Sequence, residues 1–535
     1  MVIQILFLVI FFALMIFIGF YYRRKAASVE GFVLGGRSAG PWLTAFAFGT
    51  SYFSAVIFVG YAGQFGWNFG LASTWIGLGN AFIGSLLPWV VLGRRTRIMT
   101  NHLGSKTMPE FFEKRYDSKA LKLISAIIVF VFLIPYTASL YNGLSRLFSM
   151  AFPGVDYTVC IVIMSLLTCV YVLVGGYMAT AMNDFIQGIF MVGGIVAVII
   201  AALGQNGGFT SSVEKLATAE SGGWQYVSFF GPDPTFLIFV VLLTSLGTWG
   251  LPQMVGKFYA IKDEDSIKKG TVISTVFAVI VAGGCYFLGG FSRLFATVDP
   301  ASGKPAMDGS VVSYDRLVPG MLENLGPVLI GIVLVLVLSA SMSTLSSLVL
   351  TSGSTVTLDL IIPLRRKQTG EKGKMLIMRI LIVFFVLLSA LIAIYQVNAK
   401  SGSSVTFIAN LMGVSWGALA GAFIGPFLWG LYFKKTSRAA VYVSFAVGVG
   451  MSLLQLVKSL VGFDFGVKFL DGVMFKTSLH SGVFAMCFSL VLVPLVSLFT
   501  KKQSDSRVEE IFSCYKRTVT VKATDVLKLE DDEEK

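Results

Sequence analysis

The 535-residue chain is poor in charge, because Asp, Glu, Lys and Arg make up only 13% of it, about half their share in a soluble domain. Hydrophobic residues make up 55% of the sequence, and they gather in runs that are long enough to cross a bilayer. This composition excludes a soluble globular domain. It predicts an all-α protein with many membrane-spanning helices.

Metal-binding and catalytic residue types are also scarce. The two histidines, His102 and His480, lie far apart and outside any HExxH pattern, which argues against a zinc enzyme. The five cysteines show no paired spacing, so neither a disulfide framework nor a cysteine metal site is expected. The sequence also lacks a nucleophile elbow and a phosphate-binding loop with its lysine. We therefore expect that the protein is not an enzyme.

Lys and Arg collect in alternate loops, beginning with Arg23, Arg24 and Lys25, as they do on the cytoplasmic side of a membrane. This pattern predicts an N-terminus outside and a C-terminus inside. It also explains the net charge of +13, so no nucleic-acid partner is expected. The apolar segments predict thirteen spans, at about 2–22, 41–62, 70–93, 120–148, 157–176, 180–204, 234–256, 269–294, 324–358, 375–398, 404–433, 439–460 and 478–500.

A hydroxyl-rich stretch runs from Ser339 to Thr357, where eleven of nineteen residues are Ser or Thr at membrane depth. On a helix, several of them share one face with Ala340, since they are spaced by three or four residues. A stripe of neutral oxygens suits a dehydrated hard cation such as Na⁺. It equally suits close packing between helices. From this stretch alone, both interpretations stand.

Two other spans are interrupted near their middles, by small and polar residues at 49–54 and by glycines and Pro252 at 247–252. Proline removes an amide donor and opposes continuation of a helix, so we expect broken helices at both places. A broken membrane helix frees backbone carbonyls for an ion, and its neighbouring side chains line a binding site.

Asp184 lies near the start of an apolar span, with no basic residue within two turns. A carboxylate at that depth is costly unless it is paired or binds a cation, although the helix dipole also favours an acid at a helix start. Lys257 is expected at a helix end. The sequence therefore leaves Asp184 without a basic partner.

Six motifs occur in order along the chain: FVLGGRSAG (32–40), TSYFSA (50–55), GGYMATAMNDFIQG (175–188), GLPQMVGKF (250–258), SASMSTLSSLVLTSGSTVTLDL (339–360) and SWGALAGAFIGP (415–426). With the thirteen spans, they resemble the sodium/solute symporter family, which holds proline, pantothenate, sugar and sialic-acid transporters. The resemblance covers about residues 5–450. It implies a LeuT-like core of two inverted five-helix repeats, which begin near residues 41 and 234 and work by alternating access.

By position, the resemblance implies three sets of site residues. The common sodium site would use the backbone carbonyls of Thr50, Phe53 and Ala340 and the hydroxyls of Ser343 and Thr344. A second sodium, which some members hold, would be bound by Asp184, Ser343, Ser346 and Ser347. The solute pocket, which the broken helices also indicate, would be lined by Tyr52, Ser54, Thr244, Thr248, Trp249, Pro252, Gln253 and Trp416. For Trp416, packing is the favoured interpretation.

The resemblance has departures that leave the solute open. Where proline carriers of the family have an Asp in the first broken helix, this chain has Tyr52. Where they place Trp and Tyr in the second broken helix, it has Thr244 and Thr248, while the GLP element followed by YAIKDED looks more like the pantothenate branch. An amino acid, a carboxylate or pantothenate-like compound, and a sugar all remain candidates.

The resemblance implies a sodium-coupled symporter that imports a small polar organic solute across the cell membrane, the inner membrane in a bacterium. The alternative is a proton-coupled or uncoupled carrier on the same fold, with Asp184 as a proton relay. A sensor is disfavoured, because the tail is too short for a signalling domain. The predicted regions are an extra helix with the first cytoplasmic loop (1–40), the transport core (41–433), two peripheral helices (434–500) and a solvated cytoplasmic tail with one short helix (501–535).

Overall fold

The structure is a computed structural model that describes residues 2–152, 154–219, 221–307, 309–323, 325–365, 368–398 and 404–516. The acidic end of the predicted tail, LEDDEEK, lies outside these ranges. So do Arg366 and Lys367 of one predicted inside loop.

Helices dominate the described chain. The first half contains α1 (Val2–Tyr22), α2 (Val29–Leu34), α3 (Pro41–Tyr52), α4 (Ala62–Phe69), α5 (Thr74–Ala81), α6 (Arg94–His102), α7 (Met108–Tyr116), α8 (Lys119–Ala151), α9 (Tyr157–Gly204), α10 (Phe209–Thr218), α11 (Trp224–Val227) and α12 (Pro234–Gly250). The second half contains α13 (Pro252–Ala260), α14 (Glu264–Ala278), α15 (Gly284–Gly289), α16 (Leu317–Leu322), α17 (Pro327–Thr355), α18 (Ile362–Leu364), α19 (Glu371–Asn398), α20 (Ser404–Tyr432), α21 (Arg438–Val461), α22 (Ser478–Phe499) and α23 (Asp505–Phe512).

Short π-helical and 3₁₀ segments join or extend these helices. The π-helical ones are Val56–Tyr61, Phe82–Leu86, Trp89–Gly93, Val279–Gly283, Val356–Ile361 and Leu470–Met474. The 3₁₀ ones are Gly35–Arg37, Gly70–Ser73, Ser292–Leu294, Tyr314–Arg316 and Ser513–Tyr515.

A small antiparallel sheet interrupts the all-α architecture in the loop after α15. It contains β1 (Thr297–Val298), β2 (Pro305–Met307) and β3 (Ser310–Val311), in that order. β1 pairs with β2 through Thr297 opposite Ala306, and β2 pairs with β3 through Ala306 opposite Val311. The sequence analysis did not predict this sheet, because strands of two or three residues are too short to show an alternating pattern.

By length and hydropathy, ten helical stretches of the described chain can cross a membrane, or eleven when the bent pair α12–α13 counts as one span. This criterion does not separate the thirteen spans that the sequence predicts. Two of the ten stretches, Val56–His102 and Thr158–Gly204, are each 47 residues long. A straight helix of that length measures about 70 Å, more than twice the thickness of the hydrocarbon core.

Within the 48-residue helical stretch α9, the chain reverses direction at Gly176. This residue has φ 56° and ψ −153°, a conformation that glycine adopts far more readily than other residues. Tyr171, before it, donates a hydrogen bond to the carbonyl of Met342 at 2.9 Å, and Gly194, after it, packs against Leu336. In a straight helix Tyr171 and Gly194 would lie about 35 Å apart, whereas their partners on α17 lie about 9 Å apart. The two halves of α9 therefore lie side by side.

A second reversal occurs at Gly70, which has φ 61°. Before it, the carbonyl of Ile57 accepts from the thiol of Cys285 at 3.9 Å. After it, the hydroxyl of Ser73 donates to the carbonyl of Tyr286 at 2.8 Å. Sixteen residues of straight helix would separate Ile57 and Ser73 by about 24 Å, yet their partners are adjacent residues. The stretch Val56–His102 therefore folds back on itself as well.

Segments that the charge pattern assigns to the same side of the membrane contact one another at two places in the described chain. At the first place, the Arg37 guanidinium donates to the carbonyls of Ser105 and Tyr259, at 2.7 and 3.1 Å, so three predicted inside loops meet there. At the second place, the guanidinium of Arg293, which lies at the end of the predicted span 269–294, is 3.7 Å from the ring centre of Tyr226 in a predicted outside loop.

The predicted short helix of the tail is confirmed as α23, but the prediction of a fully solvated tail is wrong for residues 501–516. Arg115, which is completely buried, donates to Gln503 at 3.2 Å and lies 5.0 Å from the ring centre of Phe512. Phe512 and Ile511 are themselves buried. α23 therefore docks through an apolar face of Val508, Ile511 and Phe512, which lies against Arg115 of a predicted inside loop.

Candidate functional site

The second span is broken where the sequence predicts a break. α3 ends at Tyr52, Phe53 is extended with φ −85° and ψ 122°, and helical structure resumes at Ala55. The last carbonyls of a helix have no amide partner within it. The carbonyls of Thr50 and Phe53 are therefore available to other partners, while the Thr50 hydroxyl donates back to Phe46 at 2.8 Å.

The five predicted sodium ligands lie together between α3 and α17. Ser343 Oγ is 3.1 Å from the carbonyl oxygens of both Thr50 and Ala340. Thr344 Oγ1 is 3.3 Å from the Thr50 carbonyl oxygen, and it is 3.1 Å from those of Phe53 and Ala340. None of the five residues is more than 1% exposed. These three carbonyl and two hydroxyl oxygens are named the five-oxygen site.

The five-oxygen site has more close oxygen–oxygen contacts than hydroxyl protons that can form hydrogen bonds across them. Its five contacts of 3.1–3.3 Å share two hydroxyl protons, because each hydroxyl donates one hydrogen bond. Three contacts are therefore left without a hydroxyl proton of their own, so lone pairs in the site are open to a cation. Oxygens bound to a hard cation at about 2.4 Å lie about 3.4 Å apart when their bonds meet at right angles. The spacing of the site fits a dehydrated ion of the size of Na⁺.

The residues of the predicted second sodium site have another cation beside them. The ammonium of Lys257 donates to Ser347 Oγ at 2.9 Å and lies 3.6 Å from a carboxylate oxygen of Asp184. The expectation that Asp184 lacks a basic partner is therefore wrong. Lys257 is only 3% exposed on α13, because the break before Pro252 turns this short helix into the protein interior.

Serine hydroxyls connect the two groups of residues. Ser347 Oγ lies 2.7 Å from Ser51 Oγ, on the last turn of α3. Ser346 donates to the carbonyl of Ser343 at 2.9 Å, within its own helix. Ser51 was not among the predicted ligands, although it stands between Thr50 and Tyr52 in the motif that carried the prediction.

The predicted break in the second interrupted helix is confirmed. Leu251 is extended with φ −78° and ψ 122°, and α12 and α13 meet at a bend of 46°. Pro252 and Gln253 follow the bend and line a cavity of about 50 Å³, which has room for about three or four water molecules. Gln253 is 2% exposed, and within the described chain neither atom of its amide has a hydrogen-bond partner. Lys257 and Ser347 line the same cavity.

Three other predicted solute residues make contacts elsewhere. Thr248 donates to the carbonyl of Gly84 at 2.8 Å, and the Trp249 indole donates to that of Ile83 at 2.9 Å. Both side chains thus face the helical stretch between residues 74 and 93. Thr244 donates within its own helix.

The remaining predicted solute residues lie in an aromatic region beside the two helix breaks. Trp416 is fully buried and packs edge to face on Tyr136, with ring centres 5.9 Å apart. It also covers Gly247, where an added Cβ would lie 2.6 Å from the indole. Tyr52 and Ser54 are at most 2% exposed, and the hydroxyl of Ser54 has no hydrogen-bond partner in the described ranges.

Two residues that the sequence analysis did not single out join this region. The amide of Asn80 lies beside the hydroxyls of Tyr52 and Tyr286, and its oxygen accepts from Ser245 at 3.2 Å. Asn80 and Tyr286 are completely buried. A lone amide within an otherwise apolar span is the signal that could have found Asn80.

The hydroxyls at the far end of the serine-rich stretch lie apart from the five-oxygen site. Thr351, Ser354 and Thr355 line the cavity together with Lys106 and Thr107, which lie in a predicted inside loop. They therefore form a polar path from that loop toward Lys257.

Comparison with known proteins places these features in a family. The profile of the Sodium:solute symporter family matches residues 32–448. The chain is 27% identical to the osmoregulated proline transporter OpuE of Bacillus subtilis (strain 168), over 92% of this chain and 94% of that protein. It is 30% identical to the sodium/proline symporter of Staphylococcus aureus (strain JH9), over 80% of this chain and 81% of that protein.

Solved structures share the fold. A substrate-bound, outward-open Na⁺-coupled sialic acid symporter matches with a TM-score of 0.72 and 17% identity, over 94% of this chain and 98% of that one. A manganese transporter of Eremococcus coleocola matches with a TM-score of 0.51 and 12% identity, over 85% and 95%. These neighbours are transporters with LeuT-like architecture. Since the family profile covers most of its length, the chain belongs to the sodium:solute symporter family, whose members are multi-pass membrane transporters and for which Na⁺ is the coupling ion.

Proposed function

We propose that this protein imports a small polar organic solute together with Na⁺, by alternating access, and that Na⁺ binds at the five-oxygen site. The observation that carries the proposal is the shortage of protons in that site, where five oxygen contacts share two hydroxyl hydrogens. The site joins the last turn of a broken helix to the unbroken α17. The affinity for a cation bound there depends on the relative position of the two helices. Coupling of the ion to a conformational change requires such a dependence.

The same proposal gives the chain thirteen spans, with the N-terminus outside and the C-terminus inside. The reversals at Gly70 and Gly176 support the count. Gly176 divides one 47-residue stretch into two lengths that each suit a bilayer, and Gly70 separates the span that begins with α3 from the one that follows it. The contacts among three predicted inside loops at Arg37 support the orientation.

Within these spans, residues 41–433 form the transport core, and residues 434–500 add two peripheral helices. The first helix of each predicted repeat is broken, at Phe53 in one and at Leu251 in the other, which supports a pair of related five-helix units. The sialic acid symporter supports the fold of this core. Residues 1–40 supply the additional N-terminal helix and the first inside loop.

The energy available from one ion is sufficient for concentrative uptake. One Na⁺ that enters down a potential of about 100 mV releases about 2.3 kcal/mol. A tenfold concentration gradient adds about 1.4 kcal/mol. Together they sustain roughly 500-fold accumulation of a neutral solute.

The proposed solute site lies between the two helix breaks, where Tyr52, Asn80, Tyr286 and Trp416 offer a buried aromatic and polar surface. Gln253 adds an amide without a partner in the described chain. Such a surface suits a small compound with both apolar and hydrogen-bonding groups. Two relatives are named for proline, and an amino acid, a carboxylate or a sugar all fit this chemistry.

A thermal-unfolding screen tests the proposed function and identifies the solute class. Purified protein is heated with amino acids, monocarboxylates, pantothenate or sugars, each in Na⁺ and in K⁺ at equal ionic strength. We expect one class to raise the unfolding temperature in Na⁺ and to have much less effect in K⁺, since a ligand stabilises the state that binds it. Equal stabilisation in the two salts contradicts sodium-coupled binding.

Replacing Gln253 with methionine is expected to weaken solute binding about tenfold while Na⁺ affinity stays unchanged. The substitution keeps the length of the side chain and removes an amide that has no partner in the described protein, so the fold is retained. Gln455→Met is the matched control, because Gln455 is 4% exposed on the peripheral helix α21. Solute titrations of unfolding temperature in saturating Na⁺ measure the effect, and equal affinities in the two variants argue against a role for Gln253.

A further inference from the structure

The second set of predicted sodium ligands does not fit a free sodium ion, because Lys257 already brings a positive charge to it. The ammonium donates to Ser347 at 2.9 Å and lies 3.6 Å from Asp184. It also lies 5.4 Å from the ring centre of Tyr177, which encloses it further. Lys257 and Asp184 are 3% and 0% exposed, so bulk solvent screens their charges only weakly.

Charge balance at this position argues against an additional ion. Asp184 and Lys257 neutralise each other, whereas a sodium ion among Asp184, Ser343, Ser346 and Ser347 would leave a net positive charge in the interior. That ion would also stand one helical turn from the five-oxygen site, where the first Na⁺ is proposed to bind. Two mobile cations and one ammonium within this space would repel one another.

The geometry is unlike that of a pair that serves stability alone. Ion pairs buried for stability have short hydrogen bonds between the charged groups. Here the two charged groups approach only to 3.6 Å, and the ammonium makes its shorter hydrogen bond, of 2.9 Å, to a serine hydroxyl. The carboxylate thus keeps its oxygens open to a cation, as a sodium ligand would. The ammonium stands near it on α13, the helix that follows the break.

We infer that the Lys257 ammonium is a fixed cation that takes the place of a second sodium ion, so that the protein binds one Na⁺ per cycle. The inference rests on the proposed function, since it assumes that the first Na⁺ binds at the five-oxygen site. It also assigns a role to the bent helix pair. When α13 moves relative to α9 and α17, the fixed charge moves with it, and the field at Asp184 and Ser347 changes without the release of an ion.

Counting bound ²²Na⁺ on the purified full-length protein tests this inference without knowledge of the solute. We expect the wild type to bind one Na⁺ at saturation with a Hill coefficient of about 1. Lys257→Met removes the charge and keeps the length of the side chain, so it is expected to bind two Na⁺ with a Hill coefficient above 1. Lys257→Arg retains the charge and is expected to bind one.

The neutral double variant Asp184→Asn with Lys257→Met is the control, because it removes the charge of Lys257 together with the carboxylate that would bind the additional ion. We expect it to bind one Na⁺, as the wild type does. If Lys257→Met does not fold, the count on the wild type still tests the inference. The inference is overturned if the wild type binds two Na⁺ or if a folded Lys257→Met protein binds only one. Loss of the bound Na⁺ in the double variant also overturns it. A wild type that binds no Na⁺ overturns the proposed function instead.

Discussion

Replacing Thr344 with valine is expected to raise the Na⁺ concentration for half-maximal binding by about 10- to 100-fold. Valine keeps the shape of the side chain and removes the oxygen that contacts the carbonyls of Thr50, Phe53 and Ala340. A hydrogen-bonding contact to a charged group contributes about 1.5–3 kcal/mol, and each 1.4 kcal/mol is tenfold in affinity. Titration of the unfolding temperature with Na⁺ measures the shift.

The π-helical segment Val356–Ile361, which continues α17, provides a matched control for this substitution. Thr357 is completely buried, and its hydroxyl donates to the carbonyl of Gly353 at 2.7 Å, one turn earlier in the chain. Thr357→Val is therefore expected to leave Na⁺ affinity unchanged. Similar shifts in the two variants contradict the assignment of Thr344 as a ligand. Ser343→Ala, which loses two oxygen contacts, is expected to weaken Na⁺ binding by about tenfold.

Replacing Gly66 with alanine is expected to destabilise the protein by about 3 kcal/mol or more. At this position α4 and α15 touch through their backbones, and an added Cβ would lie 1.9 Å from the carbonyl oxygen of Gly289. Backbone atoms cannot rotate away as the end of a side chain does, so the two helices must separate. Gly289 has the reciprocal constraint, since its own Cβ would lie 2.1 Å from the carbonyl oxygen of Ala62.

Gly450→Ala on α21 is the control for the Gly66 substitution. Nothing lies within 4 Å of an added Cβ there, so alanine is expected to be neutral or to stabilise the helix by up to about 1 kcal/mol. Unfolding temperatures of the purified proteins in one detergent compare the variants. A Gly66→Ala protein as stable as the wild type shows that the close contact between α4 and α15 relaxes without cost.

The features that the sequence predicts best depend on local chemistry. Pro252 lacks an amide proton, and glycines and hydroxyls stand close together around Thr50, so both helix breaks follow from residues at the breaks themselves. The hydroxyl face of α17 follows from helical spacing. Predicting the five-oxygen site required one further step, which the resemblance supplied. That step was to place the break after Tyr52 against the hydroxyl face of α17.

The features that the sequence does not predict depend on contacts between distant parts of the chain. Lys257 reaches Asp184 only because α13 bends into the interior, and hydropathy places a lysine near a helix end at the surface. The orientations of Thr248 and Trp249 depend on the rotation of α12 against its neighbour, which a helix without a marked polar face does not specify. The docking of α23 depends on Arg115, whose partners come from the far end of the chain.

Uptake into liposomes tests the central claim most directly. The purified protein is reconstituted, and accumulation of the solute found in the unfolding screen is followed with an inward Na⁺ gradient, with K⁺ in its place, and with an inward proton gradient in the absence of Na⁺. We predict accumulation above the external concentration only with the Na⁺ gradient, and a requirement for more Na⁺ in Thr344→Val. Equal accumulation in K⁺, or accumulation driven by the proton gradient alone, would contradict sodium coupling.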